Sequence, residues 1–180
     1  MLLRSVLTGG PGAGKSTLLA ALAAHGIRTV DEVARAVLKA PGGMATRSER
    51  PAEFGAMMLA GEIDAFERTA QFDGIIVFDR GLPDTAAFFQ LEGLAVPEGL
   101  ARACFALRYE GPIFRAPPWR AIYRVDEQRE QTWQEAVASD AAVVAAWRHF
   151  GYDPIDLPLA PVAARVEFVL ERIIDWVGRR

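Results

Sequence analysis

The segment Gly9-Gly10-Pro11-Gly12-Ala13-Gly14-Lys15-Ser16, followed by Thr17, carries glycines, a lysine and hydroxyls in the spacing G-x-x-x-x-G-K-[ST]. Each residue type has a physical task. Glycine lets the backbone curl until successive N–H groups point inward at an anion. A helix starting directly after the curl adds its unpaired N–H groups and the positive end of its dipole. A lysine at this position reaches β- and γ-phosphates, and the adjacent hydroxyl can ligate Mg²⁺. We therefore expect Gly10, Pro11, Gly12, Ala13, Gly14, Lys15, Ser16 and Thr17 to hold the phosphates of a nucleotide, with Ser16 as a Mg²⁺ ligand. The Asn-Lys-x-Asp signature of many guanine-specific proteins is absent, which favours ATP and leaves GTP as the alternative.

Carboxylates come next, because ligands of open α/β sheets sit beyond the carboxyl ends of the strands. Asp79 closes the apolar run Gly74–Phe78 and precedes Arg80-Gly81. A carboxylate there can bind Mg²⁺, directly or through water, accept a proton from an attacking hydroxyl, or simply cap a helix. Asp31 is placed to cap a helix opening at Glu32, and Glu32 is the candidate substrate contact or general base, first-turn helix electrostatics being the plainer alternative. Arg35, one turn on, is set either to pair with Glu32 or to hold an acceptor phosphate. Arg115, Arg120, Arg124 and Arg129 cluster around 117–130. They suit a closing segment that neutralises a transferring phosphoryl group and excludes water, or else a solvated face with local ion pairs.

These residues need a frame, and the chain supplies alternating elements. Strands are expected over Leu2–Thr8, Ile27–Val30, Gly74–Phe78, Gly111–Arg115 and Tyr152–Leu157. Helices are expected over Ser16–Ala24, Glu32–Lys39, Ala52–Gln71, Pro83–Leu91, Pro97–Leu107, Thr132–His149 and Pro161–Val177. The polar stretch Lys39–Pro51 reads as a mobile surface loop and 117–129 as irregular. Strands alternating with helices imply βαβ units, a mostly parallel sheet and right-handed crossovers.

The whole-chain numbers bound the rest. At 180 residues, 51% hydrophobic and net charge −3, the chain fits one domain over 1–180 with a single core. It has no basic field that would make nucleic acid the expected partner. No stretch approaches a membrane span, and the short Met1–Thr8 segment lacks the form of a signal peptide. Cys104, the single cysteine, reads as a small buried apolar residue and suits a reducing compartment. The expectation is thus a cytoplasmic protein, with neither nucleic acid nor membrane as partner. His25 and His149 stand at helix ends without a ligand set, the tryptophans read as packing residues, and no Ser–His–Asp set or Cys-x-x-Cys pair appears. Metal-assisted phosphoryl chemistry remains.

The segments LTGGPGAGKSTLLAALAAHG, RTVDEVARAVL, GIIVFDRGLPDTAAF, APPWRAIYRVDEQRE and GYDPIDLPLAPVAARVEFVLERI together resemble a family of P-loop ATPases or kinases grouped with AAA-type ATP-binding domains. That family is similar to nucleoside and nucleotide kinases, among them nicotinamide riboside kinase domains and thymidylate kinases. The resemblance implies an α/β P-loop NTPase fold, a three-layer α/β/α sandwich whose five-stranded parallel sheet has the order 2-3-1-4-5, with a lid after the fourth strand at about 117–131. By position it makes Lys15 and Ser16 the phosphate and Mg²⁺ residues, and Asp79-Arg80 the acidic-arginine pair serving metal, acceptor or phosphates. Arg124 and Arg129 fall where lid arginines stand, and Glu32 near the acidic residue that many nucleoside kinases use as base. AAA+ motors carry two consecutive acidic residues after the third strand and an added helical domain; Arg80 follows Asp79 here, so a remodelling motor is not indicated. The expected activity is transfer of the ATP γ-phosphoryl group to a small acceptor; a nucleotide-dependent switch and a plain nucleotide hydrolase are the alternatives.

Overall fold

The computed structural model describes residues 1–123 and 132–179. Five strands, β1 (Leu2–Thr8), β2 (Arg28–Val30), β3 (Gly74–Asp79), β4 (Ile113–Arg115) and β5 (Ile155–Asp156), form one sheet. All its pairings are parallel, in the order β2-β3-β1-β4-β5. The helices are α1 (Lys15–Ala24), α2 (Val33–Lys39), α3 (Gly43–Glu49), α4 (Pro51–Arg68), α5 (Leu82–Leu91), α6 (Glu98–Ala106), α7 (Trp133–His149) and α8 (Val162–Gly178). This is a three-layer α/β/α sandwich of P-loop type, and none of its described helices is long and apolar enough to cross a membrane.

Strand alternation assigns the layers, because successive side chains of a strand point to opposite faces. Leu3 and Leu7 of β1 and Val77 of β3 pack with Leu18 and Leu22 of α1 and with Val166, Val169 and Ile173 of α8. Val6, Ile76 and Phe78 point the other way, into a core with Phe66 of α4, Ala87 of α5 and Val143 and Trp147 of α7. A third apolar cluster joins α5 and α6 through Leu82, Ala86, Phe89, Leu100 and Cys104. Burial there pushes the Cys104 thiol up to about 12, so it stays protonated and unreactive. β5 is shorter than expected: Pro154 and Pro158, flanking it, donate no ladder hydrogen bond and confine it to the sheet edge.

Lys39–Pro51 is not a loop throughout, because α3 lies inside it. Its polar residues are used on the protein rather than on water. Arg47 pairs with Glu92 at 2.6 Å and lies over Phe88, while Thr46 is buried and donates to the Gly42 carbonyl. A polarity pattern does not reveal partners that lie so far along the chain. The α2 boundary also shifts. Its N-cap is Glu32, whose side chain makes no capping hydrogen bond, so Asp31 does not cap it. The Glu32 carboxylate is engaged elsewhere, as described below.

Gly55, inside α4, tests how tightly this layer is packed. A Cβ there would come within 2.5 Å of the buried Phe89 ring. Gly55→Ala should therefore lower stability by roughly 1–3 kcal/mol in urea unfolding, against the gain of about 1 kcal/mol that helix propensity alone would give.

Candidate functional site

The loop between β1 and α1 is shaped by left-handed glycines. Gly9 and Gly14 have φ of 125° and 80°, and a side chain on Gly9 would collide with the Ala116 carbonyl at 2.4 Å. Gly14 stands at the N-cap of α1, where no side chain caps the helix and no acidic residue occupies the first turn. The opening N–H groups are left to meet an anion. Lys15 is buried, and its Nζ donates to the carbonyls of Gly9 (2.9 Å) and Gly10 (2.6 Å). Burial, then repulsion from Arg80, pulls its pKa down; Asp79, Glu32 and Asp84 oppose that shift. An ammonium so poorly solvated gains strongly from a phosphate.

At the end of β3, Asp79 is buried and its Oδ1 has no hydrogen-bond partner among the described residues. Burial and the nearby Glu32 charge hold its pKa above the ordinary carboxylate value, against the pull of Lys15 and Arg80. Arg80 sits in the left-handed region at φ 71°, a strain of order 1–2 kcal/mol for a residue with a Cβ. Its backbone N–H donates to Leu7 at 3.0 Å. Its guanidinium donates to Glu32 (2.8 Å), to Asp84 (3.0 Å) and to the Gly9 carbonyl (3.1 Å). Burial disfavours the charge, but Glu32, Asp84 and Asp79 outweigh it and raise the pKa. Glu32 is also partly buried, which would raise its pKa, yet Arg80, Lys15 and Arg35 prevail and hold it below the usual value. Glu32 is thus an ionised structural partner of Arg80, and a weak base.

Asp84, which sequence reasoning passed over, organises this corner. It accepts from Thr8 Oγ1 (2.6 Å), Arg80, the Gly81 N–H (3.2 Å) and Trp147 Nε1 (2.9 Å). Its signal lay in Gly81-x-x-Asp84, the spacing at which a carboxylate returns to its helix N-cap. Trp147 is accordingly a hydrogen-bond donor as well as a packing residue. Glu62 on α4 was also missed: only 3% exposed, it is raised to about 8 by burial, then by Asp84.

The remaining expected residues separate. Arg35 lies 3.3 Å from Glu32 and 3.4 Å from the Ser16 hydroxyl, so it pairs with Glu32 at the mouth of the loop. Arg115 is held by Asp140 (2.6 Å) and Asp156 (2.9 Å), and Asp140 in turn accepts from the Gly10 N–H at 3.2 Å. That makes Arg115 a brace for the loop. Arg120 lies over the Trp133 ring at 5.3 Å. Arg124 and Arg129 lie outside the described residues. Ser16 and Asp79 suit a Mg²⁺ that keeps waters and phosphate oxygens as its other ligands, since the described residues hold no group of three protein ligands.

Glu62 gives a signed test. Its carboxyl is protonated in the fold up to about 8 but ionises near 4.5 when unfolded. Between those values the folded state binds the extra proton, so this group's contribution to stability falls as pH rises, by about 1.4 kcal/mol per pH unit at the limit. Glu62→Gln should match the wild type in melting temperature at pH 4.5 and exceed it increasingly towards pH 8. A constant difference across that range would contradict the buried, neutral carboxyl.

No curated protein matches the sequence. Among solved structures, a deoxyadenosine kinase from M. mycoides with the products dCMP and dCDP has a TM-score of 0.68 at 12% identity, over 96% of this chain and 100% of the other. The same kinase with bound dATP has a TM-score of 0.63 at 13% identity, again over 96% and 100%. The NadR protein in complex with NR has a TM-score of 0.68 at 19% identity; the match covers 95% of this chain and 49% of NadR. At these identities the likeness is one of fold. The family profile described as AAA domain matches residues 4–165, and the protein therefore belongs to the AAA domain family.

Proposed function

We propose that this protein is a small-molecule kinase that transfers the γ-phosphoryl group of ATP, with GTP as the alternative donor, to a nucleoside- or nucleotide-like acceptor. The observation that carries the reading is the buried Asp79 oxygen without a partner, set at the end of the strand beside a loop that offers an uncapped helix N-terminus and a desolvated lysine. A carboxylate left in that state has a role only when a ligand arrives. The kinase folds of the deoxyadenosine kinase and of NadR support the same reading.

In this scheme the amides of Gly12–Thr17 cradle the triphosphate, and Lys15 exchanges the carbonyls of Gly9 and Gly10 for phosphate oxygens. Ser16 and Asp79 would hold Mg²⁺, which would supply charge neutralisation for the phosphates. Asp79 serves either as that ligand or as the acceptor of the attacking hydroxyl's proton; Glu32 is the poorer acceptor because Arg80, Lys15 and Arg35 hold its pKa down. Arg80 fixes Glu32, Asp84 and the Gly9 carbonyl, so it acts by position. The acceptor lies between Asp31–Arg35, Asp79 and α3. Arg124 and Arg129 would approach from the segment 117–131 to cover the transferring group.

Three measurements follow. ADP release with Mg·ATP should rise above background with at least one member of a panel of nucleosides, nucleotides and pyridine nucleosides; a flat panel removes the kinase reading. Lys15→Ala should abolish nucleotide binding in calorimetry while its circular dichroism stays that of the wild type. Asp79→Asn should lower kcat by about 100-fold or more and change nucleotide affinity far less.

A further inference from the structure

On the other side of the phosphate loop stands a cation that the scheme above does not use. Arg165, in the first turn of α8, is 1% exposed. Its Nη1 donates to the Ala13 carbonyl of the loop at 3.1 Å. Its Nε and Nη2 have no hydrogen-bond partner among the described residues. No ion pair joins it to a carboxylate among them, and burial lowers its pKa. The other two deeply placed arginines among the described residues are matched by carboxylates, Arg4 by Glu110 and Arg80 by Glu32 and Asp84. A buried guanidinium without compensation costs several kcal/mol, so the fold retains it for a partner that comes from outside.

The shape of the deficit indicates what that partner is. Nε–H and the Nη2–H beside it project in parallel from one edge of the guanidinium, a fork that suits two adjacent acceptors. Trp119 lies next to it, but loosely. The Arg165 carbon is 5.9 Å from the indole centroid, whereas Arg4 on Phe66, Arg28 on Phe72 and Arg108 on Tyr152 approach to 4.0, 3.9 and 3.8 Å. Trp119 opens a turn, closed by the N–H groups of Ile122 and Tyr123 on its carbonyl, that rests Ile122 beside Gly14 next to Arg165. With Trp119, Ile122 and Tyr123 half-buried and Arg120 and Ala121 exposed, this turn is the cover of the site.

Direction along the triphosphate completes the argument, which rests on the phosphate-loop reading above. The γ-phosphate faces Asp79, at the end of β3. The nucleoside must then leave the loop on the opposite side, toward β4, β5 and α8, where Arg165 and Trp119 stand. We propose that Arg165 and Trp119 form the purine clamp of the donor nucleotide: the Trp119 turn moves aside, the base stacks on the indole, and the unpartnered guanidinium edge donates to the N7 side of the base. Guanine presents two adjacent acceptors there, N7 and O6, and matches the whole fork; adenine offers N7 but carries the N6 amino donor beside it and takes one bond, and pyrimidines lack that edge.

The test is calorimetric titration of the whole protein with Mg²⁺ complexes of ATP, GTP, CTP, UTP and inorganic tripolyphosphate, which has no nucleoside. For the wild type, ATP and GTP should bind about tenfold or more tighter than CTP and UTP. Arg165→Met, of similar length and apolar, should remove that preference and, through the lost Ala13 contact, weaken tripolyphosphate by much less than it weakens ATP. Arg165→Lys, which keeps the charge but not the fork, should fail to restore it. Trp119→Ala should weaken all nucleotides and spare tripolyphosphate. Equal loss of tripolyphosphate and ATP in Arg165→Met would make Arg165 a mere brace of the loop and overturn the clamp. Equal binding of purines and pyrimidines by the wild type would overturn it too. A wild type that binds not even tripolyphosphate would instead remove the phosphate-loop reading, and the clamp with it.

Discussion

The Arg80 guanidinium is the contact on which the rest of this site depends. It reaches Glu32 at the start of α2, Asp84 in the first turn of α5 and the Gly9 carbonyl at the root of the phosphate loop. Three separate chain segments are thereby fixed to one rigid, planar group. Its left-handed backbone is the local cost, and its buried partners keep it there. The arginine that a sequence motif offers as a substrate contact is in this arrangement a keystone. Its charge is spent on holding the acidic side of the site against the loop.

That keystone also explains the distribution of charge. Glu32 and Asp84 are both matched by Arg80, which holds the Glu32 carboxyl below its usual pKa. Asp79 is not so matched, and burial together with the Glu32 charge leaves it protonatable and short of a ligand. Neighbouring carboxylates on one scaffold thus receive different tasks from their surroundings, the usual way in which a single fold separates structural from reactive acids. Lys15 is strained in the complementary sense, an ammonium turned onto its own loop carbonyls. A phosphate would relieve both.

The loop is a dividing line between unlike halves. On the β2–β3 side lie carboxylates and the arginines bound to them. On the β4–β5 side Asp140 takes the Gly10 N–H while being held by Arg115, and Arg165 takes the Ala13 carbonyl. The loop backbone is therefore gripped from outside at both ends, and its inward N–H groups are preorganised before any anion arrives. Such preorganisation is what makes electrostatic stabilisation effective, because nothing need reorient during reaction.

The sequence by itself determined what is local. The glycine–lysine–serine spacing, the strand before it and the alanine- and leucine-rich helix after it depend on near neighbours, and so does the alternation of strands and helices that implies a parallel sheet. The order of strands came from likeness to a family, not from the residues. Only the tertiary structure decided which charges meet. Arg80 and Glu32 are 48 residues apart, Gly10 and Asp140 are 130 apart, and Ala13 and Arg165 are 152 apart. Polarity read along the chain made Lys39–Pro51 a loop, grouped Arg115 with the arginines of either a closing segment or a solvated face, and left Asp84, Glu62 and Arg165 unremarked. The physical reason is one of range. Turn and helix preferences act over a few residues, whereas the worth of a charge is set by burial and by partners that the chain brings together only once the sheet is built.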